Sequence, residues 1–373
     1  MLLILLLAGC GVAQAQWQIE DSGTTADLRG IDNVGGGVAW ASGTNGTVLR
    51  TEDGGYLWQS CAIPSGAGQL DFRGIQAFDA NTAIVMSSGK GDLSRLYKTT
   101  DGCQSWKLVF TNPDEDGFWD AINFDSGGWL LGDPVKGMFA LFHSDDLGGT
   151  WTRQINDGLM DKGGSESVFA ASNSSLTGQF IGPMFVTGGS GGAILYLQVS
   201  DKGCFDCSPE SLRESLEGRF NSWDHHSIPI GSASPSAGAF SLATIQSLPQ
   251  PRQHDLPKVL VIVVVGGDYT KPDDTSAAAY SINQGASWIS AQTPPRGFRS
   301  AVAYDAASKS WITVGPNGTD ISTDDGRNWR ALHPDPALHE APDADRNWNA
   351  LSLPFVVGPH GRIGKLDPRA LAH

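Results

Sequence analysis

Three arginines stand at matching places in a recurring pattern, each at the head of a short apolar run: Leu28-Arg29-Gly30-Ile31, Phe72-Arg73-Gly74-Ile75 and Arg299-Ser300-Ala301-Val302. A guanidinium is a planar fork that fits carboxylates and other oxyanions. Three of them converging at one mouth would grip an acidic partner or a carboxylate-bearing substrate. Trp119-Asp120 falls in the same zone of another unit, and Asp133-Pro134 falls where the next strand should exit. Trp348, between Asn347 and Asn349, repeats the place near the end of the chain. Aromatic and charged side chains grouped there would hold a peptide or a sugar. Glycoside hydrolysis would ask for more, namely two carboxylates facing each other across the substrate. Asp120, Asp133 and Glu166 are candidate acids, with Tyr269 and Tyr304 as candidate phenols, and no sequence context singles any of them out. No confident catalytic set emerges. Binding is therefore the expected role, and a glycan-acting hydrolase using the same face is the alternative. Each candidate also has a plain reading: strand-end charges satisfied by neighbours, packing between units for Trp119, a turn-closing side chain for Asp133.

The frame that must position these residues is a repeat. Ser144 to Trp151 has the form Ser/Thr-x-Asp-x-Gly-x-Thr/Ser-Trp, and close relatives run Thr51–Trp58, Thr99–Trp106, Ser281–Trp288 and Ser322–Trp329. The acid or amide of each is Asp53, Asp101, Asp146, Asn283 and Asp324, and the indoles are Trp58, Trp106, Trp151, Trp288 and Trp329. Such a side chain accepts backbone N–H groups within a turn. The glycine admits a positive φ, the hydroxyl adds a local bond, and the tryptophan is expected to pack between strands of its own unit. Glycine-rich hairpins such as Thr44-Asn45-Gly46-Thr47 precede the turns, with short strands before them. Each unit thus reads as four strands.

Seven such units fit the chain, and arrays of this kind close into propellers. The expectation is all-β: a seven-bladed β-propeller of four-stranded antiparallel blades, one domain over 17–368. The fourth unit is degenerate and carries an insertion at about 204–222, which leaves six or eight blades open. Val259–Val265, a β-branched run, suits an inner strand. The seventh unit lacks its outer edge, and Trp17-Gln18-Ile19 would supply it and close the ring.

Composition narrows the function classes. The chain of 373 residues has a formal net charge of -15 and shows no basic run, which speaks against nucleic acid as a partner. No Gly-x-Gly-x-x-Gly opens a helix after a strand, so no nicotinamide or flavin site is expected, and no cofactor. Cys204-Phe205-Asp206-Cys207 could close a loop tip. Cys61 follows the first turn and Cys103 lies inside the second, so an inter-blade bridge is open to them. His225-His226 match no closed zinc spacing, and no metal is expected. At the start, Leu2 to Leu7 is an export-type apolar run. Leu7-Ala8-Gly9-Cys10 resembles a lipobox with Cys10 as lipid acceptor; the rival is plain cleavage after Ala13-Gln14-Ala15. Residues 1–15 are read as the signal region on either account. The mature protein would then be periplasmic or at the cell surface on a lipid anchor, or secreted.

The turns and their spacing resemble those of bacterial proteins built from sialidase-type Asp-box repeats. Within that group the chain is most similar to the photosystem II stability and assembly factor-like propellers, over nearly all of its length from Trp17. The resemblance implies a seven-bladed ring and an assembly or scaffold role. Founding members are assembly chaperones that use an arginine-rich surface patch, which would fall here on Arg29, Arg73 and Arg299. The partner would be an envelope or extracellular protein or a glycan, and the protein a monomer. Sialidase chemistry would add a tyrosine nucleophile paired with a glutamate, but the Arg-Ile-Pro motif typical of that family's first blade is absent.

Overall fold

The computed structural model describes residues 16–371 apart from 163, 180–181, 200–221 and 247–258. The strands form seven antiparallel sheets arranged in chain order. Blade 1 is Leu28–Gly35, Val38–Gly43, Val48–Thr51 and Gln59–Ser60. Blade 2 spans Phe72 to Thr111, blade 3 Trp119 to Arg153, blade 4 Leu176 to Ile228, blade 5 Ser234 to Ser290 and blade 6 Ala301 to Leu332. Blade 7 takes Ala350–Ser352, Phe355–Val357 and Ile363–Leu366 from the end of the chain and Trp17–Glu20 from its start. Trp17 lies opposite Leu366 and Glu20 opposite Ile363. The ring is therefore seven-bladed, closed by the N-terminal strand, and the edge is hidden as expected. In blade 5, two short strands, Glu166–Ser167 and Gly188–Gly189, extend the sheet on its inner side to six strands. The long β-branched run is the second strand of this blade, Val259–Asp268, and not the inner one, which is Ser234–Gln246. A second strand is covered by the neighbouring blades on both faces, so a continuous apolar run suits it better.

The core is divided among the seams. Seven buried apolar clusters each join two successive blades, and the last joins blade 7 to blade 1. The turn tryptophans belong to these seams rather than to the interior of their own blade. Trp58 meets Phe355 of blade 7 edge-on at 5.6 Å, and Trp151 stacks over Phe110 of blade 2 at 6.4 Å. The turns themselves are closed locally. In the third, Ser144 Oγ donates to Asp146 Oδ1 at 2.9 Å, Gly148 N–H donates to Ser144 Oγ at 2.9 Å, and Thr150 N–H donates to Asp146 Oδ1 at 2.8 Å. The same three bonds recur at Thr51/Asp53, Thr99/Asp101, Ser281/Asn283 and Ser322/Asp324.

One position in the turn carries the contact between blades. Gly148 has φ +79°, and a Cβ there would lie 2.2 Å from Ile84 Cδ1 of blade 2. Gly148→Ala is expected to cost about 1–3 kcal/mol in urea denaturation, from the strained φ and the collision together. In the second turn the same position is Cys103, at φ 65°. Its side chain takes the direction in which that Cβ would point, toward the preceding blade, and is disulfide-bonded to Cys61 of blade 1. Cys10, Cys204 and Cys207 lie outside the described residues, as does nearly all of the insertion, which sits between the paired strands Ala193–Val199 and Ser222–Ile228.

Candidate binding site

The start of each inner strand sorts the sequence candidates into two rows. Leu28, Phe72 and Trp119 precede a bulge and are fully buried, whereas Arg29, Arg73 and Asp120 are the bulged residues after them. In blade 6, Ala301 lies opposite Val314 and Ser300 N–H donates to Val314 O, so Arg299 falls in the buried row and Ser300 in the other. In blade 7 Trp348 falls in the buried row and Asn349 beside it. Grouping Arg299 with Arg29 and Arg73 is out of register by one residue, and a one-residue slip turns a side chain to the opposite face. Arg299 is fully buried and paired with Asp320, and its Nε donates to Asp320 Oδ2 at 3.0 Å. Trp119 stacks on Phe110 at 5.2 Å, and Trp348 stacks on Trp17 at 5.8 Å. None of these three is available to a ligand.

Arg29 and Arg73 do come together. Both face Asp71: Arg73 Nε donates to Oδ2 at 2.8 Å, while Arg29 Nε stands 3.7 Å from Oδ1. Arg29 Nε and Asp71 Oδ1 are buried yet make no hydrogen bond among the described residues. Beside them the chain does something its sequence did not announce. The segment Val168–Ser175 runs across the mouth of the ring and plugs it. Val168 N–H donates to Asp133 Oδ1 at 2.9 Å, and Ala170 O accepts from Arg73 Nη1 at 3.2 Å. Asn173 Oδ1 accepts from Ile122 N–H at 2.7 Å, Ser172 Oγ donates to Ser300 O at 2.7 Å, and Ser174 shares a 2.7 Å bond with Ser241. The plug thus ties blades 2, 3, 5 and 6 together. Phe169 in this segment stacks on Phe240 at 3.9 Å and stands 6.5 Å from Tyr269, which is 53% exposed. Arg29, Arg73, Phe169 and Tyr269 make one continuous polar and aromatic rim.

The acids have structural duties. Asp120 is buried, and its pKa is raised well above the usual carboxylate range by burial, then by Asp133, with Arg73 opposing. Burial likewise pushes Asp133 up to about 6, against the pull of the Val168 N–H. A tyrosine–glutamate pair exists, but Tyr196 Oη donates to Glu166 Oε2 at 2.9 Å inside the core, and both residues are buried. Burial and Glu166 push the phenol far up. Asp120, Glu166 and Tyr196 are buried, and the ion pairs of Arg29 among the described residues are with Asp27 and Asp71. Tyr304 packs on Trp311 at 4.8 Å and lines a cavity on the far side of the plug. That cavity, about 560 Å³, is lined from all seven blades, and its charged groups among the described residues are Asp32 and Asp125. Neither acid was singled out from sequence. The available signal was an aliphatic residue followed by a polar or small one on each inner strand: Ile31-Asp32, Ile75-Gln76, Ile122-Asn123, Leu176-Thr177, Leu242-Ala243, Val302-Ala303, Leu351-Ser352. Among the described residues, no group of three or more His, Cys, Asp and Glu is placed to hold a metal.

No protein-family model and no curated protein matches this sequence. Solved structures do. The chain is a seven-bladed β-propeller similar in fold to YCF48 from Cyanidioschyzon merolae, with TM-score 0.61 and 17% identity over 95% of this chain and 100% of that one. YCF48 bound to D1 peptide aligns with TM-score 0.58 and 17% identity over 95% and 98%. The GH74 xyloglucanase of Xanthomonas campestris aligns with TM-score 0.53 and 15% identity over 93% of this chain but only 53% of that chain. The fold is thus YCF48-like, and at such identities the likeness is one of fold.

Proposed function

We propose that this propeller is a binding and scaffold protein that holds a segment of another protein across the rim of Arg29, Arg73, Phe169 and Tyr269. The observation that carries the reading is the unfinished pairing at Asp71. Two guanidinium groups share the Asp71 carboxylate, Arg29 reaches Asp27 only at 3.9 Å, and among the described residues its Nε is left without an acceptor. An incoming carboxylate or backbone carbonyl would take up the part-exposed guanidinium ends of Arg29 and Arg73, and Tyr269 offers an aromatic anchor next to Phe169. One structural neighbour is bound to a peptide, which supports protein recognition by this fold. The export-type start of the chain suggests an envelope or extracellular partner, with the propeller acting as an assembly factor there. Among the described residues the candidate acids Asp120 and Glu166 are buried, so the binding reading is preferred.

The test is recovery of partners from the native envelope with wild type and an Arg29→Ala/Arg73→Ala variant as baits. Loss of about tenfold or more in recovery is expected for the variant, the size of a central charged anchor. Arg299→Ala is unsuited as a probe because that side chain is buried. Equal recovery by both baits would remove this rim from consideration.

A further inference from the structure

The cavity below the plug is chemically unlike the rim. Its blind end is the hydroxyl and amide group of Ser172, Asn173 and Ser174, and its wall is the ring of inner-strand residues from all seven blades. Among the described residues, no Lys, Arg or His lines it. Two carboxylates do. Asp32 takes Gln76 Nε2–H and Ala77 N–H, both at 2.7 Å, on Oδ2. Asp125, exposed toward the opening, takes Asn123 Nδ2–H at 2.9 Å and Thr177 Oγ1–H at 3.2 Å, also on Oδ2. Each acid is therefore anchored through one oxygen, and its Oδ1 makes no hydrogen bond among the described residues. The anchoring donors come from the inner strands of blades 2, 3 and 4, so both carboxylates are held in place before anything binds.

We propose that this axial cavity binds a primary ammonium group carried on a slender alkyl chain, seated between Asp32 and Asp125. The charge argument disfavours anions: among the described residues a carboxylate or phosphate would meet two acids and no cation. A divalent metal would want more ligating groups than these two acids supply. A chain-end ammonium presents three donors to two free carboxylate oxygens and the surrounding hydroxyls, and it relieves the repulsion between the acids. The blind end at Ser172–Ser174 suits a ligand that enters tip-first and stops. The chemistry is shared by an alkyl diamine and by a lysine side chain projecting from another protein. The inference does not depend on the rim reading, since it uses other residues on the other side of the plug.

The experiment is calorimetry with four probes: 1,4-diaminobutane, an end-capped glycine peptide with one central lysine, 1,4-butanediol and glucose. The proteins are wild type, Asp32→Asn and Asp125→Asn, with a circular dichroism spectrum of each variant. Binding of the diamine, the lysine peptide or both to wild type at pH 7.5 is expected, and which of them binds identifies the source. Each variant should weaken that binding by about tenfold or more. Wild type gives an independent arm. Burial pushes Asp32 up to about 6, with Asp125 adding to the rise. Among the described residues, the titratable groups that line the cavity with it are Asp125 and Tyr304. Affinity should therefore fall by about tenfold between pH 7.5 and pH 5, as Asp32 takes up its proton. No binding of either amine, binding unchanged in both folded variants, a flat pH response, or equal binding of the diol or glucose would overturn the proposal.

Discussion

Arg299→Ala is expected to remove about 3–5 kcal/mol of stability in urea denaturation, the cost of leaving a buried charge without its partner. Arg299 is fully buried and Asp320 is 1% exposed, so no water replaces the guanidinium when it is cut away. The side chain also donates through Nη1 to Phe298 O at 2.9 Å and to Asn317 Oδ1, so a carbonyl and an amide lose a donor as well. The chain itself supplies the control. In blade 2 the two matching positions are Phe72 and Tyr97, whose rings meet at 5.9 Å, and in blade 3 they are Trp119 and Phe142 at 6.2 Å. In blade 1 they are Leu28 and Leu49, both fully buried. An ion pair in blade 6 therefore fills a slot that three other blades fill with apolar pairs. Replacing both partners, as Arg299→Leu/Asp320→Leu, should cost clearly less than Arg299→Ala alone, because it leaves no charge behind. A single variant that loses under about 1 kcal/mol would mean that Asp320 finds a new partner or solvent.

This blade also explains what could and could not be read in advance. The ring, its closure by Trp17–Glu20 and the local bonding of the acidic turns follow from a short motif whose geometry is set by neighbours in sequence. The inward or outward sense of Arg299 does not follow. It depends on a bulge at the start of the inner strands, and the letters Arg-Ser-Ala-Val look like Arg-Gly-Ile whichever way the register runs. The signal that would have decided it was Asp320, an acid where other blades carry Leu49, Tyr97 and Phe142. The seam role of the tryptophans escaped for a similar reason: spacing shows a period, but not which neighbour lies across it. The plug was least legible. Val168–Ser175 is bound through backbone groups and short hydroxyls, and its partners are scattered from Arg73 to Ser300, so no local pattern marks it.

The plug brings the second large effect, a pH dependence with a definite sign. Asp133 holds Val168 N–H, and burial pushes its pKa up to about 6. The pKa of Asp120 beside it is also raised by burial and by Asp133, and its Oδ2 is buried without a hydrogen-bond partner among the described residues. An acid whose folded pKa exceeds its unfolded value binds more protons in the native state between the two. Stability contributed at this site is thus greatest below about pH 4, falls as pH rises, and levels off above about pH 6. Asp133→Asn keeps a carbonyl that can accept from Val168 but has nothing to titrate. It also removes the like charge that raises Asp120, which acts in the same direction. The stability of wild type relative to the variant should therefore drop by about 2–3 kcal/mol from pH 4 to pH 7.5, at about 1.36 kcal/mol for each pH unit that separates the folded from the unfolded pKa. Urea titrations of both proteins at four pH values measure the difference, and the many exposed acids common to both cancel from it. Parallel curves, or a difference that moves in favour of wild type as pH rises, would mean that Asp133 is solvated and does not hold the plug from a buried position. The expected outcome instead makes the two acids the fastening of the segment that closes this mouth, with Arg73 shared between that fastening and the rim.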